Sequence, residues 1–148
     1  MDKEVCRILL ADDDEDDRNF FRDAIHAVKM ETTLISVSNG EELMDYLENK
    51  DNPLPHILFL DLNMPCKSGL DCLTEIRNNP RLRNLTIAIY STSGSEDDIE
   101  NTFLAGAHVY IRKPKDFGTL QKVLTEVLNI NWHYHSSGLN RDNFLFSI

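Results

Sequence analysis

Basic residues are scarce in this sequence: 15 Lys and Arg stand against 25 Asp and Glu, a formal net charge of −10. Affinity for nucleic acid or for an anionic membrane surface comes from clustered Lys and Arg that release counterions. Neither is expected as a partner, and an acidic surface suits a protein or a bound cation. Long hydrophobic runs are missing too. No apolar stretch approaches the roughly 18 residues of a membrane span, and none of secretory character opens the sequence. Cysteine is limited to Cys6, Cys66 and Cys72, an odd number without C-x-x-C spacing. Free thiols in a reducing cytoplasm are the expectation, with a redox role for Cys66 the weaker reading. Internal repeats and low-complexity segments are also absent.

What is present is one domain's worth of chain, 148 residues, with 41% hydrophobic and 27% charged side chains. That supports a real core and leaves no room for a second useful domain. Short β-rich runs occur at Cys6–Ala11, Thr33–Val37, Ile57–Leu60, Ile87–Tyr90 and Val109–Ile111. Such short, continuous apolar runs fit parallel strands covered on both faces. Between and after them, helical periodicity marks Glu15–Val28, Gly40–Glu48, Leu70–Asn78, Ile99–Ala105 and Leu120–Leu128. In the first, Phe20, Phe21, Ala24, Ile25 and Val28 recur at the spacing of one buried helix face. Asn39-Gly40, Asn52-Pro53 and Asn79-Pro80 interrupt the pattern, and Gly106 stands where a helix C-terminus needs a glycine. Five β-then-α units predict an α/β fold: a doubly wound, five-stranded parallel sheet of flavodoxin-like (βα)5 type, strand order 2-1-3-4-5.

In such folds the functional rim is the carboxyl edge of the sheet. Asp12 and Asp13 follow the first run, Asp61 the third, Ser91 the fourth, and Arg112-Lys113-Pro114 the fifth. Strands one and three are neighbours in the predicted order, so Asp12, Asp13 and Asp61 should converge. Three adjacent carboxylates repel and require a cation or a proton. A hard divalent ion with oxygen ligands answers this, and Mg²⁺ favours one or two carboxylates plus waters and substrate phosphate. Lys113 then adds positive charge for an incoming phosphoryl group and Ser91 a hydrogen-bond donor. Positioning and charge stabilisation are most of what phosphoryl transfer needs, and a carboxylate can be the nucleophile.

Asp12-Asp13 after Ile8-Leu9-Leu10-Ala11, then Asp61-Leu62-Asn63-Met64-Pro65 with Gly69, then Ser91 and Lys113-Pro114, resemble the CheY-like receiver domain of response regulators. The resemblance runs from residue 6 to about 128. It implies a phosphoprotein of two-component signalling, a phosphorelay element and not a classical enzyme. In that reading Asp61 is the phosphoacceptor. Asp12, Asp13 and Asp61 hold Mg²⁺ with the Asn63 backbone carbonyl, and Asp13 is the more direct ligand of the acidic pair. Ser91 is the switch hydroxyl, Lys113 contacts the phosphoryl group, the Lys113–Pro114 bond is cis, and Tyr110 is the aromatic switch. Thr92 is bulkier than the small residue common beside the switch hydroxyl, which bears on the hydrolysis rate. The implied partners are a sensor histidine kinase or phosphotransfer protein and a downstream protein target.

Other readings explain less. Asp12, Asp14 and Asp16 imitate the start of a calcium loop, but Asp17 and Asp23 stand where that loop needs Gly and Glu. Asp14, Asp16 and Asp17 read as caps or first-turn residues of the following helix. His133 and His135 form an H-x-H without other ligands and read as surface residues. Ser91-Thr92-Ser93-Gly94-Ser95 resembles a phosphate cradle, which keeps a flavodoxin-like redox carrier as an alternative. Its cradle belongs after the first strand, where aspartates stand here. An aspartate-nucleophile phosphatase would need an acid where Asn63 stands, and a phosphorylation-independent binding module is the remaining alternative.

The expected organisation is a stand-alone receiver over residues 1–128, with an extension over 129–148 and no output domain. The signal would leave through the fourth helix, fifth strand and fifth helix. Trp132, Tyr134, Leu139, Phe144, Leu145, Phe146 and Ile148 make the extension too apolar for a simple disordered end. It is expected to dock on the domain or to join a homodimer. Similar tails occur in stand-alone receivers that serve phytochrome-like and other sensor histidine kinases.

Overall fold

The computed structural model describes residues 5–130 and 145–146. Five strands are β1 (Cys6–Ala11), β2 (Thr32–Val37), β3 (Ile57–Leu60), β4 (Ile87–Ser91) and β5 (Val109–Arg112). They alternate with α1 (Glu15–His26), α2 (Gly40–Glu48), α3 (Gly69–Arg77), α4 (Glu96–Leu104) and α5 (Phe117–Asn129). All strand pairs are parallel, in the expected order 2-1-3-4-5.

Successive strand residues point to opposite faces, and the core divides accordingly. Leu9, Ala11, Leu58, Leu60, Ile87, Ile89 and Tyr110 pack beneath α2, α3 and α4. Ile8, Leu10, Ile57, Phe59, Ala88, Tyr90, Val109 and Ile111 pack beneath α1 and α5. Each fully buried Leu or Ile contributes about 1.5–3 kcal/mol of transfer free energy, so both layers are strongly fixed. The strand register is fixed with them, because a one-residue slip would exchange the two sets.

Each helix begins at a polar cap. The side chains of Asp14, Asn39, Ser68, Ser95 and Asp116 accept from the backbone N–H three residues on, at Asp17, Glu42, Asp71, Asp98 and Thr119. Gly106 has φ +102 just past α4, the left-handed position that favours glycine.

Three expectations are corrected. β2 is not covered on both faces: it is the edge strand, and Ile35 is 44% exposed. No peptide bond among the described residues is cis, so Lys113–Pro114 is trans. The trans form of an X–Pro bond is the lower by about 0.5–1 kcal/mol unless its surroundings reverse that preference. A sixth strand, β6 (Leu145–Phe146), pairs parallel with β5 at the other edge, opposing Tyr110 to Leu145 and Ile111 to Phe146. Part of the extension therefore continues the sheet, which the helix–strand alternation did not predict. Trp132, His133, Tyr134, His135, Leu139, Phe144 and Ile148 lie outside the described residues.

Candidate functional site

Register brings the acidic residues together. Ala11 of β1 is paired with Leu60 of β3, so Asp12 and Asp61 leave the sheet side by side. The Asp61 N–H donates to Ala11 O at 2.9 Å, and the Asp12 N–H to Val37 O at 3.1 Å. Asp12 is fully buried and Asp61 nearly so, whereas Asp13 faces solvent. One carboxylate oxygen from each of Asp12, Asp13 and Asp61 lies within 4.8 Å of the others. Asp12 Oδ1 accepts from the Asp14 N–H at 3.0 Å, while Asp12 Oδ2 is buried and accepts no hydrogen bond.

Lys113 closes the site from β5. Its backbone N–H donates to Ser91 O at 2.8 Å, which fixes where the side chain starts. The ammonium lies 2.9 Å from Asp12 Oδ2, 2.8 Å from Asp17 Oδ2 and 3.4 Å from Asp61 Oδ2. It also sits 5.4 Å from the centroid of the Tyr90 ring, which is held edge-on by Phe21. Burial works against this ammonium, but the carboxylates of Asp17, Asp12 and Asp61 outweigh it and raise its pKa. Lys113 is therefore a fixed positive charge.

Asp61 is the group with chemistry available. Burial pushes its carboxyl up to about 6; the Asp12 charge adds to this, and Lys113 and the Asn63 N–H oppose it. The Asn63 N–H donates to Asp61 Oδ1 at 3.4 Å, and Asn63 itself is exposed. Space behind Asp61 is tight: a Cβ on Gly69 would stand 2.1 Å from Asp61 O, so only glycine fits the entry to α3 there.

A divalent cation fits this donor set. The donors are hard oxygens in excess of one neutralising ammonium, and the buried Asp12 Oδ2 lacks a hydrogen bond. Ser91 is fully buried, and its Oγ accepts from the Ser93 N–H at 3.2 Å. Tyr110 is likewise buried, its hydroxyl donating to Ser93 O at 2.8 Å. Burial raises the Tyr110 phenol pKa, with hydrogen bonding to Ser93 and Ser91 opposing. Ser91 and Tyr110 thus share one loop, Ser91–Ser95, leading from β4 into α4. Two residues were missed as neighbours of the site. Asp17, expected only to line the first helical turn, turns its side chain to Lys113. Arg18 Nη1 donates to Asp12 O at 2.7 Å, and its place one turn into α1 was the available signal.

The chain is similar in sequence and fold to known response regulators. Response regulator Rcp1 of Synechocystis is 29% identical over 121 residues, covering 79% of this chain and 82% of that protein. Chemotaxis protein CheY1 of Helicobacter pylori is 28% identical over 126 residues, covering 84% and 98%. The crystal structure of phosphorylated RcpA, a cyanobacterial phytochrome response regulator, superposes with TM-score 0.78 at 26% identity, covering 93% of this chain and 98% of that one. The crystal structure of the Mn²⁺-bound form of Rcp1 gives TM-score 0.75 at 28% identity, covering 82% and 91%. Since the family model of the response regulator receiver domain also matches residues 8–125, this chain belongs to that family.

Proposed function

We propose that Asp61 accepts a phosphoryl group from a phosphohistidine on a sensor histidine kinase or phosphotransfer protein. An Asp61 oxygen attacks phosphorus; the new O–P bond forms as the donor's bond to phosphorus breaks. The bonding electrons leave with the donor's imidazole, and the product is an acyl phosphate. Asp12, Asp13 and Asp61 form the Mg²⁺ site, with the Asn63 backbone carbonyl as a further ligand. Bound Mg²⁺ supplies charge neutralisation for the phosphoryl oxygens. Lys113 contributes the second positive charge, and the Ser91 hydroxyl becomes a hydrogen-bond donor to the phosphoryl group once it leaves the Ser93 N–H. Tyr110 follows through the shared loop, so phosphorylation biases a two-state element.

The observation that carries this reading is the meeting of the Asp12, Asp13 and Asp61 carboxylates beside the Lys113 ammonium. Phosphorylation of RcpA and Mn²⁺ binding by Rcp1, named for those relatives, support it. The test is intact mass after incubation with Mg²⁺ and a small acyl phosphate. One added phosphoryl group is expected, absent with EDTA or in Asp61→Asn. A wild-type mass that never rises would favour a phosphorylation-independent binding module.

We read residues 1–128 as the receiver and 129–148 as an extension; RcpA and CheY1, each covered over 98% of its length, support a receiver of about this size. No helix among the described residues is long and apolar enough to cross a membrane, in keeping with a cytoplasmic location. The output surface is α4, β5 and α5, where a downstream protein would bind. With β6 along the β5 edge, we read the extension as docked on its own domain. Its service in a homodimer is the second reading, and sedimentation separates the two.

A further inference from the structure

The Lys113 ammonium has a partner that the phosphoacceptor chemistry does not use. Asp17 Oδ2 lies 2.8 Å from Lys113 Nζ, closer than Asp12 at 2.9 Å or Asp61 at 3.4 Å. The ammonium donates hydrogen bonds to Asp17 and Asp61 and is ion-paired with Asp12. Asp17 stands outside the cation cluster of Asp12, Asp13 and Asp61. Nor does it cap α1, since Asp14 does so. A general preference for acids in a first helical turn explains its presence but not its aim at Lys113. The Lys113 side chain is 8% exposed and that of Asp17 37%. The pair lines an open pocket of about 640 Å³ together with Asp16, Phe20, Thr92, Arg112, Pro114 and Lys115.

We propose that Asp17 is a positioning residue: it holds the Lys113 ammonium back from Asp61 and thereby weakens capture of an incoming phosphoryl group. This rests on the reading of Asp61 as the phosphoacceptor. The physical argument has two parts. Asp17 occupies an N–H of the Lys113 ammonium, and its own negative charge repels the phosphoryl dianion. Asp17→Asn removes the charge while keeping the size of the side chain, and leaves only a neutral amide oxygen to compete with Asp61 for the ammonium. Asp17→Glu keeps the charge and the means to reach Lys113.

The experiment measures phosphorylation by acetyl phosphate with saturating Mg²⁺, by intact mass, as donor concentration is varied. For Asp17→Asn the half-saturating donor concentration should fall about threefold, the size expected of a half-exposed ion pair. The maximal rate should change less, Asp17→Glu should match wild type, and high salt should narrow the difference between Asn and wild type. Thermal denaturation establishes that each variant is folded, and Asp17→Ser carries the same comparison if the Asn variant is not. Half-saturation equal to or above wild type in Asp17→Asn, or a Glu variant that behaves like Asn, would overturn the proposal while leaving the phosphoacceptor reading in place. A wild-type protein that takes up no phosphoryl group would remove that reading, and this inference with it.

Discussion

Two titratable residues, buried Asp61 and half-buried His108, connect the chemistry of single side chains to measurable stability. Burial raises the Asp61 carboxyl from its ordinary 3.8 to about 6. The folded state therefore holds this proton more tightly than the unfolded chain. The contribution of Asp61 to stability is greatest below 3.8, falls as pH rises toward 6, and stays low at neutrality. Asp61→Asn is accordingly expected to raise the unfolding free energy at pH 7.5 in EDTA, by up to about 3 kcal/mol. Added Mg²⁺ should stabilise wild type and not the variant, and urea denaturation reads both effects. An Asn variant less stable than wild type in EDTA would contradict the burial argument. His108 has the opposite sign. Burial, then the Arg77 charge, lowers its pKa to about 4; its Nδ1 accepts from the Ile87 N–H at 3.2 Å and lies 3.3 Å from Arg77 Nη2. The neutral ring's contribution is complete above about pH 6.5 and is lost as pH falls toward 4. The stability advantage of wild type over His108→Asn should shrink by about 2–3 kcal/mol between pH 7 and 4.5.

At the scale of elements, the site depends on how strands hand over to helices. Gly69 opens α3 directly against the Asp61 carbonyl. Gly69→Ala is expected to cost about 1–3 kcal/mol, since the backbone must move to admit the methyl group. The same displacement shifts Asp61, so phosphorylation by a small acyl phosphate should slow as well. A Gly69→Ala protein with wild-type stability and uptake would show that this close approach is dispensable. The extents of β1, α2 and β3 were legible from the sequence because apolar spacing runs to their ends. Helices α4 and α5 begin at Glu96 and Phe117, each three residues ahead of the expected start. Their first turns are set by the Ser95 and Asp116 caps, whose signal is hydrogen bonding and not burial.

Across the described residues, the sheet ends at β2 on one side, and on the other β6 pairs along β5. A parallel edge strand left open is a template for pairing with another chain. A version ending at Ile130 should keep the five-stranded unit folded, since among the described residues both core layers are built from positions within Cys6–Leu128. Its Tyr110–Arg112 amides should exchange with solvent faster than in the full chain. Sedimentation should show only the loss of the extension's own mass; halving of a dimer mass would favour the homodimer reading. Unchanged exchange along β5 would mean that Leu145–Phe146 does not protect this edge.

The sequence by itself determined the five β-then-α units, the strand order that follows from them, and the roster Asp12, Asp13, Asp61, Ser91 and Lys113. Each was visible because alternation, helical period and strand-end position are local properties of the chain. Only the tertiary structure decided which groups compete. Asp17 reads as a helix-start residue until β5 brings Lys113, 96 positions away, to within 2.8 Å of it. In the same way β6, two residues long, has no periodicity to announce it and exists only where β5 offers a free edge. Contacts between distant segments depend on packing geometry, and no local pattern encodes that.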